Sequence, residues 1–436
     1  MRRPSHLHWF LPLSLLAVCL FPVPLSATTF VSEDPRALAM GGAGVAGTRT
    51  RNAGLFNPAH LAGHTAVRGH RRGLAFYRPQ EGVRVIDEEG FLQAAEDFLE
   101  RDHETSLRDA LEQLEEAIED DTVELADLRR VTDEANDLLD GLESISGRPL
   151  RATASAGLNL NQPGERFGWG AHIRQRADAG SVIDISEQDV RFIRDTLGFV
   201  EALAEFYETD IIPPGVRAPR PVDELTSSAT IQGASIRETG VSLAHDVPML
   251  PDTRVGVTFK SLLVETVDWN VSVGDAERER FSRADQTQRD QDFNMDVGFT
   301  HKLEAEWTAG VMVRNVIGQH YQTVEGRPVR VRPVTRVGLA WEGDRLTVAW
   351  DADLVETPAI GFEPDRQYMG MGVEYAPWPW LALRGGVRMD RVSRQVTTGY
   401  GFGLVFERMH FDLSVGGDET DDQAVSLQLG ARFGGQ

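Results

Sequence analysis

Val425-Ser426-Leu427-Gln428-Leu429-Gly430-Ala431-Arg432-Phe433 alternates apolar residues with polar or small ones. An extended chain turns successive side chains to opposite faces, so this stretch has one greasy face and one wet face. Phe411, Leu413 and Val415 alternate in the same way with Asp412, Ser414 and Gly416. So do Leu346, Val348, Trp350, Ala352 and Leu354 with Thr347, Ala349, Asp351 and Asp353. From Trp307 to Phe433 one such strand follows another, with short turns between. A soluble sandwich alternates as well. Three further features favour a closed barrel in an outer membrane: an export signal, many strands of near-equal length, and aromatics near strand ends (Trp307, Trp341, Tyr368, Tyr375, Trp378 and Trp380).

The export signal occupies residues 1–27. Arg2 and Arg3 precede an apolar run from Trp9 to Leu25, and Ser26 and Ala27 supply small residues for cleavage. Cys19 is the single cysteine and falls inside that run, where bulky Val18 disfavours a lipoprotein site. The mature chain therefore has no disulfide, no thiol redox centre and no cysteine-ligated zinc. No apolar run of helix-spanning length follows Leu25, so any membrane span must be a strand. The formal net charge is −23, and the segment Glu88 to Glu143 alone carries −17 of it, from 21 acidic and 4 basic residues. Without a basic stripe, nucleic acid is not an expected partner.

Periodicity predicts strands at about 73–79, 151–160, 166–175, 228–246, 253–266, 290–301, 305–316, 328–342, 344–355, 366–376, 380–390, 396–407, 409–416 and 422–433, which is fourteen. Two helical insertions interrupt them. Between about 88 and 146, Leu107, Leu111, Leu114, Ile118, Leu125, Leu128, Ala135, Leu139 and Leu142 recur at 3–4 spacing, and Asp120-Asp121-Thr122 breaks the run. This predicts an acidic antiparallel pair. At about 186–210, Ser186 and Asp189 form a capping box ahead of Val190, Ile193, Leu197, Val200 and Leu203, and Pro213-Pro214 end the helix.

Asp34-Pro35-Arg36-Ala37-Leu38-Ala39-Met40-Gly41-Gly42-Ala43-Gly44, followed by Asn57-Pro58-Ala59-His60-Leu61, resembles the mature N-terminus of FadL-like outer-membrane proteins. Within that group the pattern is similar to the barrel-type conjugal transfer TraF family and to PorV-like proteins. The resemblance implies a 14-stranded barrel spanning residues 66–436, with residues 28–65 folded into the lumen as a plug. It makes Gly41, Gly42, Gly44, Asn57, Pro58 and Ala59 plug residues. It also implies a channel for small, often hydrophobic, compounds, or a component of a conjugal transfer or secretion apparatus with a protein partner. Outer-membrane lipid of a Gram-negative bacterium is the implied surrounding.

With the apolar rows facing lipid, Lys260, Arg314, Arg336, Asp351, Asp353, Arg384, Arg388, Asp412 and Arg432 fall on lumen faces. A charge at mid-membrane on the lipid side costs roughly 2–4 kcal/mol for Arg or Lys, which favours this assignment. Such a wall either pairs internally or lines a polar pathway. Catalytic signatures are poor, and no enzyme is expected. Ser242 and His245 lack a nucleophile elbow. Gly42-Ala43-Gly44-Val45-Ala46-Gly47 spells a dinucleotide fingerprint but lacks the strand before it and the acidic residue after it. His60, His64 and His70 lie in a loop-like segment, and Asp418, Asp421 and Asp422 form an ordinary acidic turn, so no metal or cofactor is expected. Two other functions fit the same residues: a docking barrel that works through its acidic helices, and a soluble secreted β-protein.

Overall fold

The computed structural model describes residues 34–47, 53–63, 75–87, 90–100, 103–120, 122, 124–209, 226–272, 286–357, 365–406, 409–418 and 422–432. The leader (1–27), His64, His70, Asp421 and residues 433–436 lie outside the described residues, as does the side chain of Arg432.

Fourteen antiparallel strands close into one barrel, with a separate two-stranded hairpin beside them. In chain order the strands are β1 (Ala75–Ile86), β2 (Leu150–Gln162), β3 (Phe167–Asp184), β4 (Ser228–Asp246), β5 (Thr253–Ser272), β6 (Thr287–Lys302), β7 (Trp307–Arg314), the hairpin arms β8 (Gln319–Gln322) and β9 (Pro328–Val331), β10 (Val334–Glu342), β11 (Leu346–Asp353), β12 (Tyr368–Trp378), β13 (Leu381–Asp390), β14 (Val396–Phe406), β15 (Met409–Gly417) and β16 (Asp422–Arg432). Each barrel strand pairs with its neighbour in sequence, with β10 following β7. Pairing of β1 with β16 closes the ring.

The alternation that predicts these strands also sorts their faces. Val415, Val425 and Leu429 are 49%, 53% and 41% exposed, whereas Ser414, Ser426 and Gln428 between them are each 1% exposed. Exposed Phe259, Phe293, Phe299, Val311, Trp350, Met371, Val387 and Tyr400 continue the outward apolar rows around the wall. A soluble β-protein buries such rows against a second layer. Here they form a belt of the kind a bilayer covers, and the soluble alternative fails.

The two rims differ. At one, strands join through turns such as 303–306, 343–345 and 379–380. At the other, the strand ends are separated in sequence by longer segments: 87–149, 185–227, 273–286, 315–333 and 354–367. Exposed Phe167, Trp307, Tyr375, Trp378, Trp380 and Phe406 gather at the short-turn rim, where Trp378 and Trp380 stack with ring centroids 5.4 Å apart. Tyr368 departs from the girdle expected of it. It is buried and faces inward, with the Arg388 guanidinium 4.6 Å from its ring centroid.

Several expected boundaries shift for physical reasons. β1 does not stop near Pro79. Its register with both neighbours slips between Tyr77 and Gln80, a bulge that accommodates the missing proline N–H, and pairing resumes to Ile86. The expected strand 328–342 is two elements broken at Pro333: β9, and then barrel strand β10.

Among the described residues the first insertion holds three helices rather than two: α3 (Phe91–Glu100), α4 (His103–Glu119) and α5 (Leu125–Ile145). Phe91, Ala94, Ala95 and Phe98 of α3 bury one stripe against Ile145 of α5 and Ile183 of β3. The second insertion is α6 (Glu187–Thr209). Its start is clasped at Asp189, whose carboxylate accepts from the Thr226 and Ser227 N–H groups (2.8 and 2.6 Å) and from the Ser227 hydroxyl (2.6 Å). Burial alone pushes this carboxyl up, but the bonds from Ser227 and Thr226 outweigh it and hold Asp189 below the usual carboxylate range.

Candidate functional site

Residues 34–47 and 53–63 fold inside the barrel as a hatch. Pro35 fits the first turn of helix α1 (Pro35–Ala39), capped by Asp34, whose Oδ1 accepts from Ala37 N at 2.8 Å. Gly41 and Gly42 then reverse the chain at φ +65° and +84°. Helix α2 (Ala53–Phe56) and a 3-10 turn (Pro58–Leu61) follow, the latter capped by Asn57, whose Oδ1 accepts from Ala59 N at 3.1 Å.

The hatch backbone lies against the wall where the wall has no side chains. A Cβ on Gly370 would come within 1.8 Å of Gly41 O, and one on Gly372 within 2.4 Å of Met40 Cα. One on Gly399 would come within 2.1 Å of Leu38 O. Across the lumen, Gly298 gives way to Asn57, Gly256 to Pro58 and Ala59, and Gly168 to Leu61. The hatch thus bridges the lumen from β14 and β12 to β6, β5 and β3 along a track of glycines.

Polar groups fix it along that track. Arg36 donates from Nε to Glu374 Oε2 at 3.0 Å and from Nη1 to Gly47 O at 2.8 Å. The Gly44 and Val45 N–H groups donate to Asp351 Oδ2 at 2.8 and 2.9 Å. Asn57 Nδ2 donates to the carbonyls of Val45 (2.9 Å) and Phe299 (3.2 Å), and the His60 ring N–H donates to Val45 O at 3.1 Å. Pro58 and Ala59 contribute shape through their contact with Gly256, and Gly44 makes room for the Phe56 ring.

Of the other predicted wall residues, Lys260, Arg314, Arg336, Asp353, Arg384 and Asp412 face the lumen, buried and in three groups. Arg384 bridges Glu374 (2.7 Å) and Asp412 (2.6 Å), extending the Arg36 contact. Arg336 forks onto Asp353 at 2.6 and 2.8 Å and reaches Gly42 O at 3.4 Å. Lys260 lies 2.9 Å from Asp296 and 3.4 Å from Glu238, and Glu238 also takes Arg314 and Arg174 at 3.1 Å. Breaking one side of such a buried pair strands the other charge, so the wall is polar yet internally tied. A cavity of about 10 Å³ remains between Gly41, Gly42, Arg336, Asp351, Tyr368, Gly370 and Arg388.

Sequence reasoning missed Arg36, Glu374, Glu238 and Asp296. The last three sit on the inward phase of strands whose outward rows are apolar, an odd number of residues from outward-facing Val373, Val241 and Phe299. Arg36 has no such signal, because its partner lies 338 positions away. Ser242 and His245 do not meet: Ser242 is buried against Thr258 Oγ1 at 2.7 Å, while His245 is exposed on the opposite face. Among the described residues no group of His, Cys, Asp and Glu has a metal-holding arrangement.

The profile of a family described as F plasmid transfer operon, TraF, protein matches residues 54–353. No curated protein matches the chain in sequence. Among solved structures, the chain is similar to the toluene transporter TodX of Pseudomonas putida, at 10% identity over 93% of this chain and 98% of that one, with a TM-score of 0.46. It is also similar to a FadL homologue of Pseudomonas aeruginosa, at 8% identity over 94% and 99%, with a TM-score of 0.49.

Proposed function

The chain belongs to the family of the F plasmid transfer operon protein TraF, and from that premise we propose that it is an outer-membrane barrel whose lumen is a gated passage closed by residues 34–47 and 53–63. The observation that carries this reading is the division of faces on single strands. Apolar rows are exposed outward, and charged rows are buried inward against a segment that is not part of the wall. A permanently filled core has no need of ten or more ionisable side chains, which cost desolvation that apolar packing avoids. A lumen that is wet whenever the hatch is out does need them.

In this reading the short-turn rim faces the periplasm and the helical crown faces outward, following the asymmetry usual for such barrels. Small solutes cross when the hatch leaves its track. Conductance across planar bilayers tests this: Arg36→Ala should raise the frequency of open events over the unaltered chain. Identical silence from both, with an intact barrel, would sink the channel.

The family and the crown favour a second reading, a docking barrel in a conjugal transfer or secretion apparatus. Helices α4 and α5 expose a row of carboxylates, among them Asp109, Glu112, Glu115, Glu116, Asp133, Asp137 and Asp140. Removing 89–144 separates the two: loss of transfer or secretion with conductance retained favours docking.

A further inference from the structure

The hatch occupies a site built for peptide backbone, and that shape indicates what can replace it. Where Leu38 to Gly41 lie, the wall offers glycines in place of side chains, so that main-chain atoms press directly on main chain. Two carboxylates flank this floor, Glu374 and Asp351, each 2% exposed. Glu374 takes the hatch guanidinium, and one oxygen of Asp351 takes two hatch N–H groups. The other, Asp351 Oδ1, is buried without a hydrogen-bond partner and borders the small cavity beside Gly41 and Gly42. When the hatch leaves, both carboxylates lose donors in a low-dielectric wall, a costly state unless an incoming molecule supplies a cation and N–H groups.

We propose that the vacated track is a binding site for a short arginine-bearing peptide, whose guanidinium meets Glu374, whose backbone N–H groups meet Asp351, and whose small residues lie on the glycine floor. This rests on the reading that the hatch can leave the wall, and it names the cargo or trigger class of that passage. Planar, bidentate guanidinium suits a carboxylate better than ammonium does. A neutral hydrocarbon would fill the floor but return no donor to Asp351 and leave Glu374 with Arg384 alone of its two guanidinium partners.

The test uses full-length protein in detergent and a fluorescent synthetic peptide with the sequence of residues 34–47, followed by anisotropy. The Arg36→Ala protein, whose own hatch is weakened, should bind the peptide at least about tenfold more tightly than the unaltered protein does. It should also prefer that peptide about tenfold over one with alanine in place of the arginine. Glu374→Gln should abolish the preference. Equal binding of the two peptides, or displacement of the peptide by toluene as readily as by unlabelled peptide, overturns the proposal.

If Arg36→Ala does not yield a heat-modifiable barrel, Asn57→Ala loosens the far end of the hatch and takes its place, with the same two outcomes. Conductance measured on the same proteins keeps the two ideas apart. Open events without peptide preference sink only the peptide site. Peptide preference without open events sinks only the passage.

Discussion

At the scale of single residues, the hatch is held by few and separable contacts. Arg36→Ala removes a charged hydrogen bond to Glu374 worth about 1.5–3 kcal/mol, but Glu374 keeps Arg384 at 2.7 Å, so the wall survives. Limited proteolysis should therefore cut the hatch while barrel mobility on a detergent gel stays unchanged. Gly41→Ala should be worse. The residue sits at φ +65°, and its new methyl would fall 2.2 Å from Val387 O and 2.8 Å from Met371 O, so the turn must lift off the wall. Loss of the folded hatch by amide exchange, at unchanged strand content, is the outcome to look for.

What was legible at this scale follows period two. Lys260, Arg314, Asp351 and Arg384 all face inward, as the apolar residues beside them require. Partnerships were not legible, since Arg36 and Glu374 lie 338 positions apart and no local pattern joins them. The glycines of the motif were visible as glycines. The wall glycines that receive them read as gaps in the pattern, because a close approach leaves no mark on one strand alone.

At the scale of elements, periodicity finds all fourteen barrel strands, places their ends unevenly and misses the β8 arm. β4 matches its expected limits of 228–246, because both ends fall where alternation stops. β3 runs on to Asp184, well past 175, through Ala177, Ala179, Gly180 and Ser181, which carry no apolar signal. Helix α3 escaped notice because its Phe91–Ala94–Ala95–Phe98 stripe precedes the leucine repeat that defines the rest.

Helix α6 gives a pH prediction. Asp189 titrates lower in the folded chain than in the unfolded one, so its contribution to the clasp is fully present above about pH 4 and is lost as pH falls through the lowered folded value. Slow amide exchange at Thr226 and Ser227 should persist at neutral pH and collapse on acidification below that range. Asp189→Asn should lose the protection at neutral pH as well. The β8–β9 hairpin allows a second test. Tyr321, Val329 and Val331 pack onto Ala234, Ile236, Leu262 and Val264 of the β4–β5 wall. Tyr321→Ala should cost about 3–5 kcal/mol of hairpin docking, seen as new cleavage within 315–333 before the barrel itself opens.

At the scale of the whole molecule, the ring makes stability collective. Every barrel strand has two neighbours and no edge is free, so unboiled protein should run apart from boiled protein on a detergent gel and resist protease except at the long-connection rim. Removal of 89–144 should leave that behaviour intact, because α3–α5 join β1 to β2 at the rim and contribute no strand to the ring. Loss of the gel shift in that variant would mean the crown is part of the barrel's foundation.

The seam between β1 and β16 sets an order of events. The first strand waits for the last, and the hatch, which precedes β1 in the chain, ends up enclosed. Threading it in after the seam has zipped would drag Arg36 and Asn57 past a finished wall. The simpler history has the sheet curl around the hatch as around a mandrel, which makes the N-terminal segment a tool of assembly before it is ever a gate.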